Sequence, residues 1–414
     1  MVDGMTKGWV RLQAVAVSGS IAEGVLLTVL PLVAVSITTD PTEVSLVQVV
    51  GQAPWLLCSL FAGVLIDRVR RTAVLGLAYA VQACAALALA VAAASGALSL
   101  PLLLVVAFVV TSAQVLGDGA SGALVPDVVP PSALAAANTR LILLDQGVVR
   151  FVVPPVAGYL VAFGFGLPLW PALVAALAAL LLSRGIPERP VTPSGQHPLR
   201  DIGDGLRFLV GTPLLRSITV AVALGSFAAS AQIAMFVLYA HEVLHLGPTG
   251  YGVLLACMSV GWVAASFVVH RVVRRLGYAW SMRLAQVGMV VAHALIAVMP
   301  PWAVAVGLVL FLESAIIMVW NVCSQSSRQR FTPTGLLGRV LTSHRALAWG
   351  LTPLGALAGG LVADGFGLRA VYVMGAAVQA VALVVAWLRL SPEAFAAAEA
   401  ADAVEPEGTA SART

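Results

Sequence analysis

Five ionisable side chains fall inside long apolar stretches of the sequence, where a charge is unfavourable. They are Glu23, Asp118, Asp145, Arg150 and Glu313. An ionised group at the centre of a bilayer costs roughly 2.5–3.5 kcal/mol on insertion scales, so such residues commonly serve ion or proton pathways or pair with one another. Burial also brings a carboxyl group into a range where it can bind and release a proton. These five residues are therefore candidates for proton coupling or for lining a solute cavity.

Glu23 is the strongest of these candidates because of its depth. It lies thirteen residues past Val10, about 20 Å along a helix, and is too deep for an interfacial residue. The alternative is that it pairs with a buried arginine or a backbone group and locks two helices together. Arg150 lies five residues after Asp145, about 140° around a helix, so those two pair poorly. We therefore expect Arg150 to pair with Glu23 or Asp118 from a neighbouring helix.

The remaining acids each have two interpretations. Asp118 lies about two turns from one end of its apolar stretch, and Asp145 is similarly shallow. Each is either a gate residue or part of a pair that holds two helices together. Glu313 and Asn321 lie about two turns apart on roughly one face of a helix, which favours a position lining the same cavity. Asn321 alternatively caps the helix end or binds water.

The composition identifies the solvent of this chain as lipid. Of its 414 residues 60% are hydrophobic and only 10% are charged, which is too little polar surface to cover a soluble globule. Apolar blocks of roughly 20 residues, the length of a membrane-spanning helix, recur about twelve times. They lie near 10–37, 43–66, 73–95, 100–124, 141–165, 167–184, 214–240, 250–273, 279–299, 302–324, 339–363 and 368–390. Since the blocks lack the alternation of barrel strands, we predict an all-α polytopic membrane protein with about twelve transmembrane helices.

An internal repeat divides these helices into two sets. Ala157–Pro168 (AGYLVAFGFGLP) and Ala358–Arg369 (AGGLVADGFGLR) share nine of twelve residues at an offset of 201, close to half the chain. Parallel repeats of six spans are common in secondary transporters. We therefore predict two pseudo-symmetric six-helix halves, residues 1–184 and 214–390.

The polar segments outside these halves have their own predicted structures. Residues 185–213 are rich in Pro and Gly and indicate a cytoplasmic linker. Within it, 199–210 mixes charged and apolar residues in a pattern suited to an interfacial helix. Residues 391–414 are rich in Ala, Glu and Ser, and we predict a disordered cytoplasmic tail there.

The distribution of arginine predicts the orientation. Arginines cluster in alternate loops, at 68–71, 184–216, 271–275 and 328–339, whereas the opposite loops carry mostly acidic residues. The positive-inside rule then places both termini in the cytoplasm of a multi-pass protein of the cell (inner) membrane. The first apolar stretch is too long for a signal-peptide core, so it is predicted to remain as a signal anchor.

Several classes of function lack their sequence signatures. The four cysteines fall in four different apolar blocks, which indicates neither a disulfide framework nor a zinc site. Lys7 is the only lysine, so a phosphate-binding loop of the GxxxxGK[ST] type is absent. A membrane-embedded enzyme or receptor should show a nucleophile motif, clustered metal ligands or a large extramembrane domain. We accordingly expect no enzymatic activity, no cofactor and no nucleic-acid partner.

Several motifs carry a family resemblance that covers nearly all of residues 10–390. Residues 63–71 (GVLIDRVRR) resemble the signature between spans 2 and 3 of the major facilitator superfamily. Further stretches resemble its drug:proton antiporter branch, which includes macrolide-efflux and enterobactin exporters. These stretches are Asp118–Pro126, Leu134–Asn138, Val153–Pro155, Gly158, Val319–Asn321, Arg328–Arg330, Gly338–Val340 and Pro353–Gly355.

The resemblance implies a mechanism and a cytoplasmic gate. It implies an exporter that works by alternating access and is driven by inward proton flow, but the family does not fix the substrate. Our leading hypothesis is a monomer that exports an amphiphilic small molecule such as a drug, a siderophore or a secondary metabolite. Asp67 would meet the positive end of span 11 near Arg339, and Gly63 would allow close helix approach. The implied gate residues are Gly63, Asp67, Arg68, Arg71 and Arg339.

Two points stay open on the sequence alone. An importer or uniporter of the same fold is the alternative to an exporter, because only the resemblance indicates direction. His293 is interpreted as a packing histidine, since its span is peripheral in this fold and is expected to face lipid.

Overall fold

The fold is entirely helical in the part of the chain that is described. The computed structural model describes residues 7–57, 65, 68–130, 134, 137, 140–141, 144, 147–188, 198–333 and 336–408, and it contains no strand among them. Eight of the described helices are long and apolar enough to cross a membrane, and two further apolar helices are shorter. The predicted all-α polytopic architecture is confirmed.

The helices follow the predicted apolar blocks. In the first half of the chain they are α1 (Lys7–Ile37), α2 (Pro41–Leu57), α3 (Arg71–Ser95), α4 (Leu100–Val128), α5 (Gly147–Val161) and α6 (Leu169–Ser183). In the second half they are α7 (Pro198–Gly211), α8 (Pro213–Val243), α9 (Pro248–Val298), α10 (Ala303–Arg330), α11 (Leu337–Trp349), α12 (Thr352–Phe366), α13 (Leu368–Arg389) and α14 (Pro392–Gly408).

The second half shows how hydropathy blocks and continuous helices differ. Helix α9 has 51 residues, about twice the length of a span, and it covers two predicted blocks. Gly277 divides it with φ 72° and ψ 171°, a conformation that only glycine adopts readily. Conversely, α11 and α12 together occupy the single predicted block at 339–363. The π-helical ends of α5 (Gly147–Val152) and α8 (Tyr239–Val243) are further local departures from a regular α-helix.

The chain forms two compact units. The first comprises Met1–Gly195 and Ala234–Ser259, and the second comprises Gln196–Ile233 and Val260–Thr414. In the first unit, α1 packs on α4, α5 and α6, while α3 packs on α4 and α6. A core of large apolar side chains lies among these helices, including Leu12, Leu75 and Leu124, each fully buried.

The second unit has a core built from α8, the later part of α9, α10 and α13. Leu215, Met282 and Trp320 are among its buried members. Helix α7 packs against α11, and it lies where the sequence predicts an interfacial helix. Gly205 of α7 sits against the Arg339 carbonyl, so close that a side chain at this position would overlap the α11 backbone.

The prediction of a disordered tail is wrong for Pro392–Gly408, which forms α14. Phe395 is 6% exposed, and its ring lies 6.1 Å from Tyr278 and 6.2 Å from Phe331. The Ser391 hydroxyl accepts a hydrogen bond from the Ala394 N–H at 3.1 Å, which caps the first turn. The tail therefore orders because one aromatic anchor and a cap tie its start to the second unit.

Candidate functional site

Glu23 lies at the middle of α1 and is held by an amide from another helix. It is about 24 Å from the start of α1 and about 21 Å from its end. Gln114, at the midpoint of α4, donates a hydrogen bond from Nε2 to Glu23 Oε1 at 2.5 Å. Glu23 is 8% exposed. Gln114 was not among the sequence candidates, although a glutamine in the middle of an apolar helix is a signal of the same kind as Glu23.

The expected pairing of Glu23 with Arg150 stays a prediction. Arg150 lies in the π-helical start of α5, and its side chain is outside the described part of the structure. Asp145 is also outside the described residues. Asp118 lies one turn beyond Gln114 on an exposed part of α4.

Glu313 belongs to a second buried polar group, in the second unit. Its Oε1 lies 3.2 Å from His293 Nδ1, and its Oε2 accepts a hydrogen bond from Gln232 Nε2 at 3.3 Å. His293 comes from the later part of α9 and Gln232 from α8, so three helices meet at this carboxyl. Glu313 and His293 are each 2% exposed.

Helix α13 completes this group. The Tyr372 ring lies 6.4 Å from the His293 ring, and Gln379 Nε2 lies 3.7 Å from Met289 Sδ, one turn before His293. We define Gln232, His293, Glu313, Tyr372 and Gln379 as the Glu313 cluster; all five are buried.

His293 is a buried packing histidine, as interpreted from the sequence, but its ring packs against Tyr372 and Glu313 and does not face lipid. A Cβ on Gly375 of α13 would overlap His293 Cδ2, so the missing side chain leaves room for the imidazole. The ring consequently turns towards Glu313 and away from the surface of the unit. A linear sequence does not show this, because it depends on which face of α9 packs against α13.

Glu313 and Asn321 occupy different environments. Glu313 is buried, whereas Asn321, two turns further along α10, is exposed. Eight residues at 100° per residue leave the two side chains about 80° apart, which is enough to separate a buried face from an exposed one. The expectation that both line one cavity is therefore not met in this conformation.

The residues of the implied gate are only partly described. Gly63 and Asp67 lie outside the described residues, and Arg68 is exposed. Arg71 Nη1 donates to Asp127 Oδ2 at 2.9 Å, which ties the start of α3 to the end of α4. Asp127 was missed from the sequence, where an acidic residue near a basic loop was the available signal.

Glu188 makes a second charged contact at the same end of the first unit. Its carboxylate accepts hydrogen bonds from Arg70 Nε at 2.5 Å and from the Thr72 N–H at 2.9 Å. Burial by itself raises the pKa of the Glu188 carboxyl, but these hydrogen bonds and the Arg70 charge outweigh it and hold the pKa below its ordinary value. This group lies beyond the end of α6 and fixes the first residues of α3.

Helices α5 and α9 touch through backbone atoms within the first unit. A Cβ on Gly158 would lie 2.5 Å from the Pro248 oxygen, and one on Gly252 would lie 2.5 Å from the Pro154 oxygen. Neither glycine therefore accepts a side chain without separating the two helices. Small residues commonly allow such close approach between membrane helices.

A cavity of about 450 Å³ lies among helix ends in the first unit. Its lining includes Leu32, Phe165, His241 and Tyr251. Leu32 is nine residues, about 14 Å along α1, from Glu23. The cavity is therefore separate from the Glu23–Gln114 pair.

Comparison with known proteins defines the class. The family of transmembrane secretion effectors, within the major facilitator superfamily, matches residues 13–411. The chain belongs to this family, and the family predicted from the sequence is confirmed. It is a multi-pass membrane transporter of small molecules and not an enzyme.

Particular relatives agree with this assignment. The multidrug efflux pump Tap of Mycolicibacterium fortuitum is 24% identical over 374 residues, which are 86% of this chain and 89% of Tap. A bacterial homologue of the iron transporter ferroportin, in its inward-facing state, superposes with a TM-score of 0.76 at 18% identity, over 94% of this chain and 100% of the homologue. A variant of the nucleoside transporter NupG gives a TM-score of 0.76 at 12% identity, over 93% and 100%. The two structures support the fold alone.

Proposed function

We propose that this protein exports amphiphilic small molecules across the cell (inner) membrane in exchange for protons, by alternating access. The observation that carries the proposal is the buried Glu23 at the middle of α1, hydrogen-bonded to Gln114 of α4. A charged carboxylate is unfavourable at this depth in a membrane. The position of Glu23 therefore supports a role in which it takes up and releases a proton.

The partner of Glu23 suits both protonation states. A glutamine amide donates through Nε2 to a carboxylate, and after rotation it accepts through Oε1 from a protonated carboxyl. The hydrogen bond between Glu23 and Gln114 can therefore persist when the proton binds or leaves. An arginine partner, which only donates, would favour the charged state alone.

The cargo proposal rests on the relative and on the motif resemblance. Tap is described as a multidrug efflux pump, and by analogy we infer a drug as cargo here; a siderophore or a secondary metabolite is proposed from the motif resemblance alone.

Alternating access requires contacts that separate and re-form. At Gly158 and Gly252 the two helices meet through backbone atoms, so we propose this contact as one that separates and re-forms. On the cytoplasmic side we retain the gate of Gly63, Asp67, Arg68, Arg71 and Arg339. Its support is the family resemblance; the Arg71–Asp127 ion pair ties α3 to α4 within the first unit.

Transport by the purified protein in liposomes tests the proposal. Ethidium is a permanent cation and is not trapped by pH alone, so we expect its several-fold accumulation in vesicles with an acidic lumen. Nigericin, which dissipates the pH gradient, should abolish that accumulation, and protein-free vesicles supply the baseline. Accumulation with an alkaline lumen would instead indicate a proton symporter, and equilibration independent of pH would indicate a uniporter.

Reporter fusions test the orientation separately. With both termini cytoplasmic, fusions after Thr39 and after Arg71 should report opposite sides of the membrane, because α2 lies between them. The same side for both fusions would contradict the proposed topology.

A further inference from the structure

The Glu313 cluster contains a histidine whose hydrogen position follows from its contacts. His293 Nδ1 lies 3.0 Å from the Met289 carbonyl oxygen and 3.2 Å from Glu313 Oε1. A carbonyl oxygen only accepts hydrogen bonds, so Nδ1 carries the hydrogen. The other ring nitrogen, Nε2, is buried without a hydrogen-bond partner among the described residues.

The cluster carries an unbalanced charge unless it binds one proton. With an ionised Glu313 and a neutral His293 its net charge is −1, at a position that is 2% exposed. Gln232 of α8 hydrogen-bonds Glu313 and Tyr372 of α13 packs on His293, and neither side chain is a cation. One added proton therefore neutralises the site, and an uncompensated charge there is strongly unfavourable.

The geometry selects the atom that takes this proton. A hydrogen on His293 Nε2 would be a buried donor with no acceptor among the described residues. A hydrogen on Glu313 Oε2 would face the Gln232 amide, which lies 3.3 Å away and can rotate to offer its oxygen. The carboxyl is therefore the better proton acceptor.

We propose that Glu313 is a second proton-binding residue of this transporter, in the second unit, and that His293 is its positioning residue. His293 Nδ1, whose hydrogen is bonded to the Met289 carbonyl, lies 3.2 Å from Glu313 Oε1 and fixes the orientation of the carboxyl through this close contact. Within the proposed exporter, this site adds a proton to the one assigned to Glu23, so that part of the inference rests on the proposed function.

Gly375 offers a way to disturb the pair without removing either ionisable group. A Cβ at this position would overlap His293 Cδ2, so Gly375→Ala must displace the imidazole from Glu313. Gly365→Ala is the matched control, because it adds the same methyl group to another helical glycine of the second unit with nothing within 4 Å.

Infrared difference spectroscopy tests proton binding without any substrate. The purified full-length protein in nanodiscs is titrated from neutral to acidic pH, and the carboxylic-acid C=O stretch is followed. We expect one component of this band to be lost in Glu313→Gln. In Gly375→Ala and His293→Gln, its pH midpoint should move by about one unit, because the close contact between the imidazole and the carboxyl is lost. Gly365→Ala should match the wild type.

Each outcome decides one part of the inference. Identical titrations of wild type and Glu313→Gln would overturn proton binding by Glu313. A Glu313 component that is unmoved in Gly375→Ala and His293→Gln would overturn the positioning role of His293. If Glu313→Gln fails to fold, a band unmoved in the other two variants would still contradict the proposed pair.

Transport distinguishes this inference from the proposed function. In vesicles with an acidic lumen, Glu313→Gln should lower ethidium accumulation driven by the pH gradient about tenfold, within the usual range of coupling between two ligands. Exchange of ethidium at equal pH should stay within about twofold of wild type. If the wild type accumulates no ethidium but the Glu313 infrared component is present, the proposed function fails and the proton site stands.

Discussion

The two units each hold a buried glutamate that receives a hydrogen bond from a glutamine, but the two residues have exchanged helices. In the first unit Glu23 is on α1 and Gln114 on α4, the first and fourth spans of the first half. In the second unit Gln232 is on α8 and Glu313 on α10, which are the first and fourth spans of the predicted second half. Under the predicted repeat, the first and fourth spans of each half therefore share a carboxyl–amide pair, but not the position of the acid.

The exchange explains why a simple comparison of the repeats misses the pair. Gln232 follows Glu23 by 209 residues (232 − 23), and Glu313 follows Gln114 by 199 (313 − 114). Neither spacing equals the repeat offset of 201, and the aligned residue types differ. What is shared is the helix pair, which only the folded units reveal.

The two pairs differ in their surroundings. The Gln114–Glu23 hydrogen bond is 2.5 Å long and that of Gln232–Glu313 is 3.3 Å, while Glu313 has the His293 contact in addition. Glu23 is 8% exposed and Glu313 only 2%. Glu313 is therefore the more enclosed of the two acids.

The largest effect is expected for Glu23→Gln. It mimics permanent protonation, so ethidium accumulation driven by the pH gradient should fall more than about tenfold, while exchange at equal pH persists. Glu43→Gln is the matched control, since Glu43 is exposed in the first turn of α2. If Glu23→Gln accumulates ethidium as well as the wild type does, Glu23 is not the coupling acid. The role would then pass to Glu313 or Asp118.

Exchanging the acid and the amide of the first unit tests whether the pair or the position of the acid matters. The double variant Glu23→Gln with Gln114→Glu moves the acid to the fourth span, as in the second unit. Because the carboxyl–amide pair is rebuilt, accumulation should recover about fivefold over Glu23→Gln alone, corresponding to a pairwise coupling of about 1 kcal/mol. If the double variant is no better than Glu23→Gln, the position of the acid matters and the symmetry between the units has no functional meaning.

A smaller effect is expected at the contact between α5 and α9. Gly252→Ala places a methyl group against the Pro154 oxygen and should lower the rate of ethidium accumulation, since the two helices no longer meet closely. The infrared bands of both glutamates should be unchanged. If Gly252→Ala alters those bands, the contact between α5 and α9 is coupled to the two acids.

The smallest effect is expected at Glu188, a carboxylate outside the spans that serves as a reference. Its lowered pKa means that it stabilises the folded protein at neutral pH, and this contribution is lost as pH falls below 4.5 towards the lowered pKa. Glu188→Gln should therefore lower the melting temperature at pH 7 and match the wild type at low pH. Ethidium accumulation per folded molecule should not change. If Glu188→Gln loses ethidium accumulation, burial within a span does not explain why Glu23 and Glu313 are needed for transport.

The membrane environment, the approximate positions of the helices and the depth of the acids could be predicted from the sequence alone. In lipid every backbone polar group must be satisfied within its own helix, so spans appear as apolar blocks along the chain. The depth of Glu23 follows from counting residues at 1.5 Å each. The family resemblance also required nothing beyond short motifs.

The contacts between polar side chains of different helices could be seen only in the folded structure. Gln114 joins Glu23, and His293 turns to Glu313, because of how helices rotate against one another. Those rotations depend on small residues such as Gly375, whose missing side chain is visible in the sequence but whose neighbour is not. Phe395 likewise orders α14 through contacts far away in the chain. Hydropathy identifies each membrane helix separately. The contacts described here depend on how several helices pack together, and residue spacing along the chain does not reveal that packing.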